Sequence, residues 1–259
     1  MLELNRIYCG DCLDLMREMP DKSVDLVLCD LPYGTTACAW DVIIPFEPLW
    51  EQYIRICKDN AAILLTASQP FTTDLINSNR KMFKYELIWY KDKPADFGNN
   101  NVKPLRYHEN ICVFYKSHPK YNRQFTERKG TGDSRAKYPV NFKQGSDHKF
   151  GMKDKILHYN NTGRTIGSVI EISTGMRGAI KHPTAKPIEL FEHLIKTYSN
   201  EGDIVLDNCM GSGTTCVACK KLGRNYIGIE KEPAYIAIAE KRLEKVNNHK
   251  ITDFFGVAP

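Results

Sequence analysis

Two short stretches of the 259-residue chain carry groups that could do chemistry. The first is Asp30-Leu31-Pro32-Tyr33-Gly34, directly after the apolar run Val24 to Cys29. An acid, a stiff proline and an exposed aromatic at the end of a buried strand suit a planar amine held for attack. The Asp30 carboxylate and the backbone carbonyl of Leu31 can each accept one N–H of an exocyclic amino group. Tyr33 can stack on the ring that bears it, a contact worth roughly 1–3 kcal/mol per base. An aromatic amine is a poor nucleophile, because its lone pair is delocalised into the ring. Two acceptors on its hydrogens draw the nitrogen toward tetrahedral geometry and aim the lone pair, so the gain is orientation and charge stabilisation without a strong base. Taken alone, the same residues also make an ordinary turn.

The second stretch is Asp207-Asn208-Cys209-Met210-Gly211-Ser212-Gly213-Thr214-Thr215, entered from Ile204-Val205-Leu206. Glycines at a strand-to-helix turn permit positive φ and remove the Cβ that would block a ligand. The helix N-terminus beyond them offers free N–H groups to a carboxylate or phosphate. Glu230 follows 23 residues after Asp207, at the end of the next apolar run. In doubly wound folds an acid at about this spacing, roughly 20 residues on, binds ribose hydroxyls. The spacing is neither Gly-x-Gly-x-x-Gly nor a P-loop, which disfavours dinucleotides and excludes Walker-type phosphate binding, leaving other adenosine cofactors or a bare turn.

These loops need rigid elements behind them. Val24 to Cys29, Ala61 to Thr66, Tyr85 to Trp89 and Asn110 to Tyr115 read as short buried strands, with helices at Phe46 to Cys57 and Phe71 to Asn79. In the last part of the chain Pro187 opens a helix. Ile204 to Leu206 and Tyr226 to Ile229 read as strands, and Thr214 to Leu222 and Pro233 to Val246 as helices. The alternation predicts an α/β, doubly wound, mostly parallel sheet with helices on both faces. Ligands of such sheets gather beyond the carboxyl ends of the strands, so both loops should share one rim.

Between these halves the character changes. Residues 116–165 carry 12 Lys or Arg against four acids, a net +8, and the whole-chain charge of +5 leaves −3 for the remainder. A basic segment of this kind, rich in Gly, Asn and Tyr, predicts a loop-rich insertion with a polyanionic partner such as nucleic acid. A weak strand at Ser168 to Ile172 is the clearest pattern within it. The expected division is therefore 1–115 as one half of the domain, 116–180 as a target-recognition insertion and 181–259 as the cofactor-binding half.

Hydrophobic residues make up 42% of the chain, enough for a packed core, and no apolar run approaches the roughly 20 residues that span a bilayer. With no signal-peptide pattern at Met1 to Asn5, a cytoplasmic protein is expected. The nine cysteines include Cys9/Cys12 and Cys216/Cys219, but several sit within apolar runs, as reduced core thiols do. No metal is expected, because the paired spacing lacks a matching loop context.

At these motifs the chain resembles the amino-methyltransferases of DNA, a family marked by D-P-P-Y and F-x-G-x-G motifs. The order of catalytic motif, basic region and cofactor motif is similar to that of the β class. Further matches are Gly10 to Leu13, Glu86 to Lys91, His108 to Phe114, His182 to Pro187 and Gly228 to Glu230. The resemblance implies a seven-stranded sheet of the methyltransferase type and S-adenosylmethionine as methyl donor. It also implies double-stranded DNA as partner, and it allows a homodimer. By that resemblance Asp30, Leu31, Pro32 and Tyr33 are catalytic. Asp11, with Cys12 beside it, would bind the cofactor adenine, and Glu230 the ribose. Asp207, Gly211, Ser212, Gly213 and Thr214 would form the methionine pocket, with Thr184 and Lys186 at the carboxylate. The expected product is N6-methyladenine in a prokaryotic or phage-infected cell, made after the base is flipped out of the duplex. Two residues depart from the family pattern: Leu31 stands for the first proline and Met210 for the phenylalanine.

Basic side chains of the insertion would hold phosphates, and Asn122, Gln124, Asn141 and Gln144 are candidates for base edges. His108 and His182 are read as structural, because this reaction needs no histidine base. Trp40 and Trp50 are read as packing residues, and Trp89 as core or rim. Three alternatives are carried: a cytosine-N4 enzyme, a non-catalytic DNA-binding module on a vestigial cofactor fold, and a nicotinamide oxidoreductase.

Overall fold

The computed structural model describes residues 2–36, 38, 41–95, 98, 100–127, 163–174 and 186–246. Thr184, His182, Trp40, Asn141 and Gln144 lie outside them. The chain forms two compact units, one from residues 1–122 with 168–259 and one from 123–167. In the smaller unit β6 (Phe125–Glu127) pairs antiparallel with β7 (Gly163–Thr165).

The larger unit is built on one sheet. Its strands are β1 (Arg6–Cys9), β2 (Val24–Cys29), β3 (Cys57–Ala67), β4 (Phe83–Ala95), β5 (Arg106–Phe114), β8 (Val169–Glu171), β9 (Ile204–Asp207) and β10 (Asn225–Glu230). They lie in the order β1-β10-β9-β2-β3-β5-β4-β8. Pairing is parallel except where β5 runs antiparallel to β3 and β4. The expected doubly wound, mostly parallel sheet is what forms, with eight strands where seven were expected. The eighth is β8, which the sequence offered only as a weak strand. It joins the free edge of β4 in parallel, with Ile170 buried and the Trp89 indole N–H donating to the Ile172 carbonyl at 2.8 Å. Trp89 is therefore core. β1 had no alternating pattern to reveal it, and it is drawn in by parallel pairing with β10 from Arg6↔Ile227 to Cys9↔Glu230.

The strands read as continuous apolar runs because helices cover both faces. One face carries α1 (Cys12–Arg17), α2 (Phe46–Ile56) and α3 (Phe71–Ser78). Val27, Cys29, Ile63, Leu65, Cys112 and Phe114 meet Trp50, Tyr53, Ile56 and Phe71 there. The other carries α4 (Ile188–Tyr198), α5 (Thr214–Lys221) and α6 (Pro233–Glu244). On that side Leu26, Leu28, Leu64, Ile111 and Val113 meet Phe191, Leu194 and Cys216. Neighbouring residues of β2, β3 and β5 thus serve opposite cores, the two-residue period of a strand. Each fully buried large side chain contributes about 1.5–3 kcal/mol.

All nine cysteines are free thiols, six of them buried. Burial pushes Cys29, Cys57 and Cys112 up to about 12, so they stay protonated near neutral pH. Among the described residues no three metal-donor side chains gather, and no helix is long and apolar enough to cross a membrane.

The core also fixes the strand beneath the glycine loop. A Cβ at Gly228 in β10 would stand 2.5 Å from the Met210 sulfur and 2.6 Å from the Cys216 sulfur. Replacing Gly228 by Ala should overpack this site and cost about 1–3 kcal/mol in a urea melt. An unchanged midpoint would show that the loop yields freely.

Candidate active site

The site is assembled by adjacency of β2 and β9, which pair in parallel at Leu26↔Val205 and Val27↔Leu206. Both strands end at the same edge, so the loops beginning at Asp30 and Asp207 leave the sheet side by side. Asp30 is close enough for its charge to act on Asp207.

The Asp30 carboxylate is heavily engaged. Its Oδ1 accepts from the Tyr33 hydroxyl at 2.8 Å and from the Thr66 hydroxyl, while its Oδ2 meets the Lys186 ammonium at 2.5 Å. Tyr33 also donates toward Thr66 Oγ1 at 3.0 Å. The aromatic expected to be exposed is half-buried. Its ring lies on Phe71, centroids 5.1 Å apart and planes 25° apart, and the Lys186 ammonium lies over the ring, 5.7 Å from its centroid. Burial, and next the Asp30 charge, hold the Tyr33 hydroxyl well above the usual phenol range. It is a donor here and not a base. Leu31 is buried, so the residue in place of the first proline anchors the loop by packing. Pro32 is half-buried beside it.

The far side of this loop is held by Asp41. Its carboxylate accepts the backbone N–H groups of Gly34 at 2.8 Å, Thr35 at 2.9 Å and Thr36 at 2.7 Å. Burial would raise the Asp41 pKa, but these donors together with the Thr36 hydroxyl outweigh it and lower it. The sequence reading passed over Asp41, since nothing in its spacing distinguishes it from a solvated acid.

The glycine loop is equally constrained. Gly211 and Gly213 have φ of 52° and 77°, where a side chain is strained. A Cβ at Gly213 would also stand 2.7 Å from that of Ala239 in α6. Glu230 ties the loop down, its two oxygens accepting from the N–H of Gly211 and of Glu232, each at 2.8 Å. From α6, Arg242 reaches the Ser212 carbonyl at 2.6 Å, the Ser212 hydroxyl at 2.9 Å and the Thr214 hydroxyl at 3.1 Å. Met210, in place of the family's phenylalanine, turns its side chain into the core above Gly228 and Cys216.

Asp11 caps α1 by accepting the Leu13 N–H at 2.9 Å. The Gly10 N–H bonds the Glu230 carbonyl at 3.0 Å, which sets the Asp11 turn beside Glu230. The Cys12 thiol is buried toward Cys209, which together with burial raises it strongly. Any contact of Cys12 with a ligand would come through its backbone. Asp207 is buried, bonded by the Thr215 hydroxyl and the Cys209 N–H, and burial raises it to about 7 despite those donors.

Lys186 is buried, with Asp30 on one side and Glu109 Oε2 at 3.4 Å on another. Burial pulls its pKa down, but Asp30 and then Glu109 outweigh that and raise it, so it is a cation. Glu109 in turn pairs with Lys91. Sequence reading quoted Glu109 and Lys91 only within longer matches and missed Thr66. Thr66 stands at the end of β3, whereas Glu109 and Lys91 lie inside β5 and β4, where no local signal marks them. His108 is exposed and Trp50 is buried, donating to Ser78.

Some basic residues assigned to the DNA-facing patch are committed elsewhere. Lys120 bridges Asp25 and Asp203, and Lys116 pairs with Asp59. The Asn122 amide, expected as a reader of base edges, donates to the carbonyls of Lys196 and Ser199 near the end of α4.

The sequence pattern of the DNA methylase family, N6_N4_Mtase, matches residues 24–241, spanning both loops. The chain belongs to that family. A curated relative, the type II methyltransferase M1.MboII of Moraxella bovis, is 30% identical over 91% of this chain and 95% of its own. The crystal structure of an M1.HpyAVI–SAM complex superposes with a TM-score of 0.59 at 24% identity, covering 92% of this chain and 99% of that one. PvuII DNA methyltransferase, a cytosine-N4-specific protein, gives 0.63 at 16% identity, covering 94% and 87%. The last two establish the fold of this methylase.

Two outcomes are expected. Asp207 has a folded pKa of about 7, above the ordinary aspartate value of 3.8, so the folded state takes up its proton more readily. Its stabilising contribution is complete below the unfolded value and is lost as pH rises through about 7. In urea melts of the ligand-free protein, wild type should lose stability relative to Asp207→Asn between these limits. A pH-independent difference would contradict the assignment. Replacing Asp41 by Ala strands three loop N–H groups. It should cost about 1–3 kcal/mol in the same measurement.

Proposed function

We propose that this DNA methylase transfers a methyl group to the exocyclic N6 of adenine in double-stranded DNA, on a base flipped from the duplex. The methyl donor is S-adenosylmethionine, which supplies a methyl carbon made electrophilic by the positively charged sulfur. The loop after β9 fits such a group. Its glycines leave room where a Cβ would collide or strain, and its buried acid lies beside the opposite loop. Asp207, Gly211, Ser212, Gly213 and Thr214 would hold the methionine part, with Asp11 and Glu230 toward the nucleoside. Thr184 and the Cys12 backbone complete that assignment.

The observation that carries the reading is the single open position left on Asp30. A carboxylate has about four lone-pair sites. Among the described residues Tyr33, Thr66 and Lys186 occupy three of them, which leaves one site on Oδ2 for an incoming N–H. The neighbouring Leu31 carbonyl is the natural acceptor for the second N–H of the same amine. Together they would orient the lone pair, while Pro32 stiffens the loop and Tyr33 would flank the base. After transfer the nitrogen must shed one proton, and Asp30, already its acceptor, is the nearest base. An acid at this position favours adenine over cytosine, since cytosine-N4 relatives more often carry serine there.

The basic insertion would hold the duplex by its phosphates, and a stacked, paired amine cannot reach the donor without flipping. Incubation with labelled S-adenosylmethionine and varied duplex DNA, followed by nucleoside mass spectrometry, should yield N6-methyladenine. N4-methylcytosine would transfer the reading to the other branch of the family. Asp30→Ala should abolish transfer while cofactor binding persists, and surviving activity would remove Asp30 from the mechanism. Cofactor binding without transfer to any DNA would favour a non-catalytic module.

A further inference from the structure

The Asp30 carboxylate ends a chain of alternating charges. Lys186 touches its Oδ2, Glu109 faces Lys186 at 3.4 Å, and Lys91 pairs with the other oxygen of Glu109. Lys91 itself lies over the Trp89 ring, 4.8 Å from its centroid. All four charged groups sit at the same rim: Asp30 after β2, Lys186 just before α4, Glu109 in β5 and Lys91 in β4. The neighbouring titratable groups are Tyr33 on the Asp30 loop and Asp207 at the end of β9.

Resting on the methyl-transfer reading above, we infer that Lys186 is a positioning residue for that reaction. It fixes Asp30 so that one Oδ2 site stays open to the amine, and Glu109 with Lys91 fixes Lys186. The resemblance put Lys186 at the cofactor carboxylate. Its ammonium is instead taken up by two carboxylates of the chain itself, 2.5 and 3.4 Å away.

The physical reasons are directional and electrostatic. Tyr33 and Thr66 both bind Oδ1, so they leave the carboxylate free to pivot about that oxygen. A short contact from Lys186 to Oδ2 supplies the second point that stops the pivot. A half-buried anion such as Asp30 would turn toward solvent without such a partner. Lysine alone between two carboxylates would be free to choose either. Lys91, which binds the far oxygen of Glu109, anchors the second carboxylate and keeps the spacing fixed. The longer Lys186–Glu109 contact marks Asp30 as the preferred partner.

The test compares wild type, Lys186→Met, Lys186→Arg and Glu109→Gln in the full chain. Rates of methyl transfer to duplex DNA are measured with titration calorimetry of S-adenosylmethionine and a thermal melt. Lys186→Met is expected to lower kcat on the order of 100-fold. KM for DNA and Kd for S-adenosylmethionine should hold at wild-type values, and Lys186→Arg should recover part of the loss. Glu109→Gln should lower kcat roughly tenfold, because Lys186 then loses one of its two anionic neighbours. Weaker S-adenosylmethionine binding by Lys186→Met, with kcat intact at saturation, would return Lys186 to the cofactor and overturn the inference. Should Lys186→Met not fold, Glu109→Gln decides, and a wild-type kcat in that variant overturns it. Absence of transfer by wild type itself would sink the methyl-transfer reading first; active wild type with equally active variants would sink only this inference.

Discussion

The parallel ladder between β2 and β9 is the constraint on which the site depends. These strands are distant in sequence, and only their pairing brings the Asp30 and Asp207 loops together. The ladder is locked at its lower end by Asp25, a buried acid at the start of β2. Asp25 accepts the Ile204 N–H at 3.1 Å and meets Lys58 at 2.8 Å and Lys120 at 3.1 Å. Lys120 continues to Asp203, directly before β9. Burial raises the Asp25 pKa, but these donors outweigh it and lower it. A charge inside an apolar strand is tolerated because every partner it needs arrives from an adjoining element. The register at the bottom of the sheet thereby sets which residues face each other at the top.

Above that ladder, polar groups are used mainly to hold loops still. Asp41 gathers three N–H groups of the first loop, and Glu230 and Arg242 clip the second from opposite sides. The carboxylate of Glu230 thus has a structural duty even without a ligand. Such arrangements remove conformational freedom before any substrate arrives, the condition under which orientation contributes to a rate. They also explain why Leu31 and Met210 are compatible with the fold. Both side chains point into packed core, where an apolar residue of suitable size serves.

Basic residues divide along the same line. Lys116, Lys120 and the Asn122 amide, all at the start of the basic segment, are consumed in fastening the sheet and α4. Net charge counted along a sequence cannot separate cations that neutralise a buried acid from those that meet a polyanion. The same limit applies to Lys186, which stands near the cofactor motif in sequence yet contacts Asp30.

The sequence by itself determined the elements whose side chains are buried on both faces. Val24 to Cys29 was readable to the residue, and the α5 boundary to within one, because apolar runs and glycine turns are local signals. It also determined the two chemical loops and their position at strand ends. The tertiary structure decided what no local pattern carries: that β1 and β8 join the sheet by edge pairing, and that Trp89 is core. It decided, too, that Tyr33 turns its hydroxyl to Asp30, and that Thr66, Glu109 and Lys91 stand behind Lys186. The reason is physical. Burial periodicity is written within a few residues, whereas ion pairs and edge hydrogen bonds join groups whose separation along the chain is arbitrary.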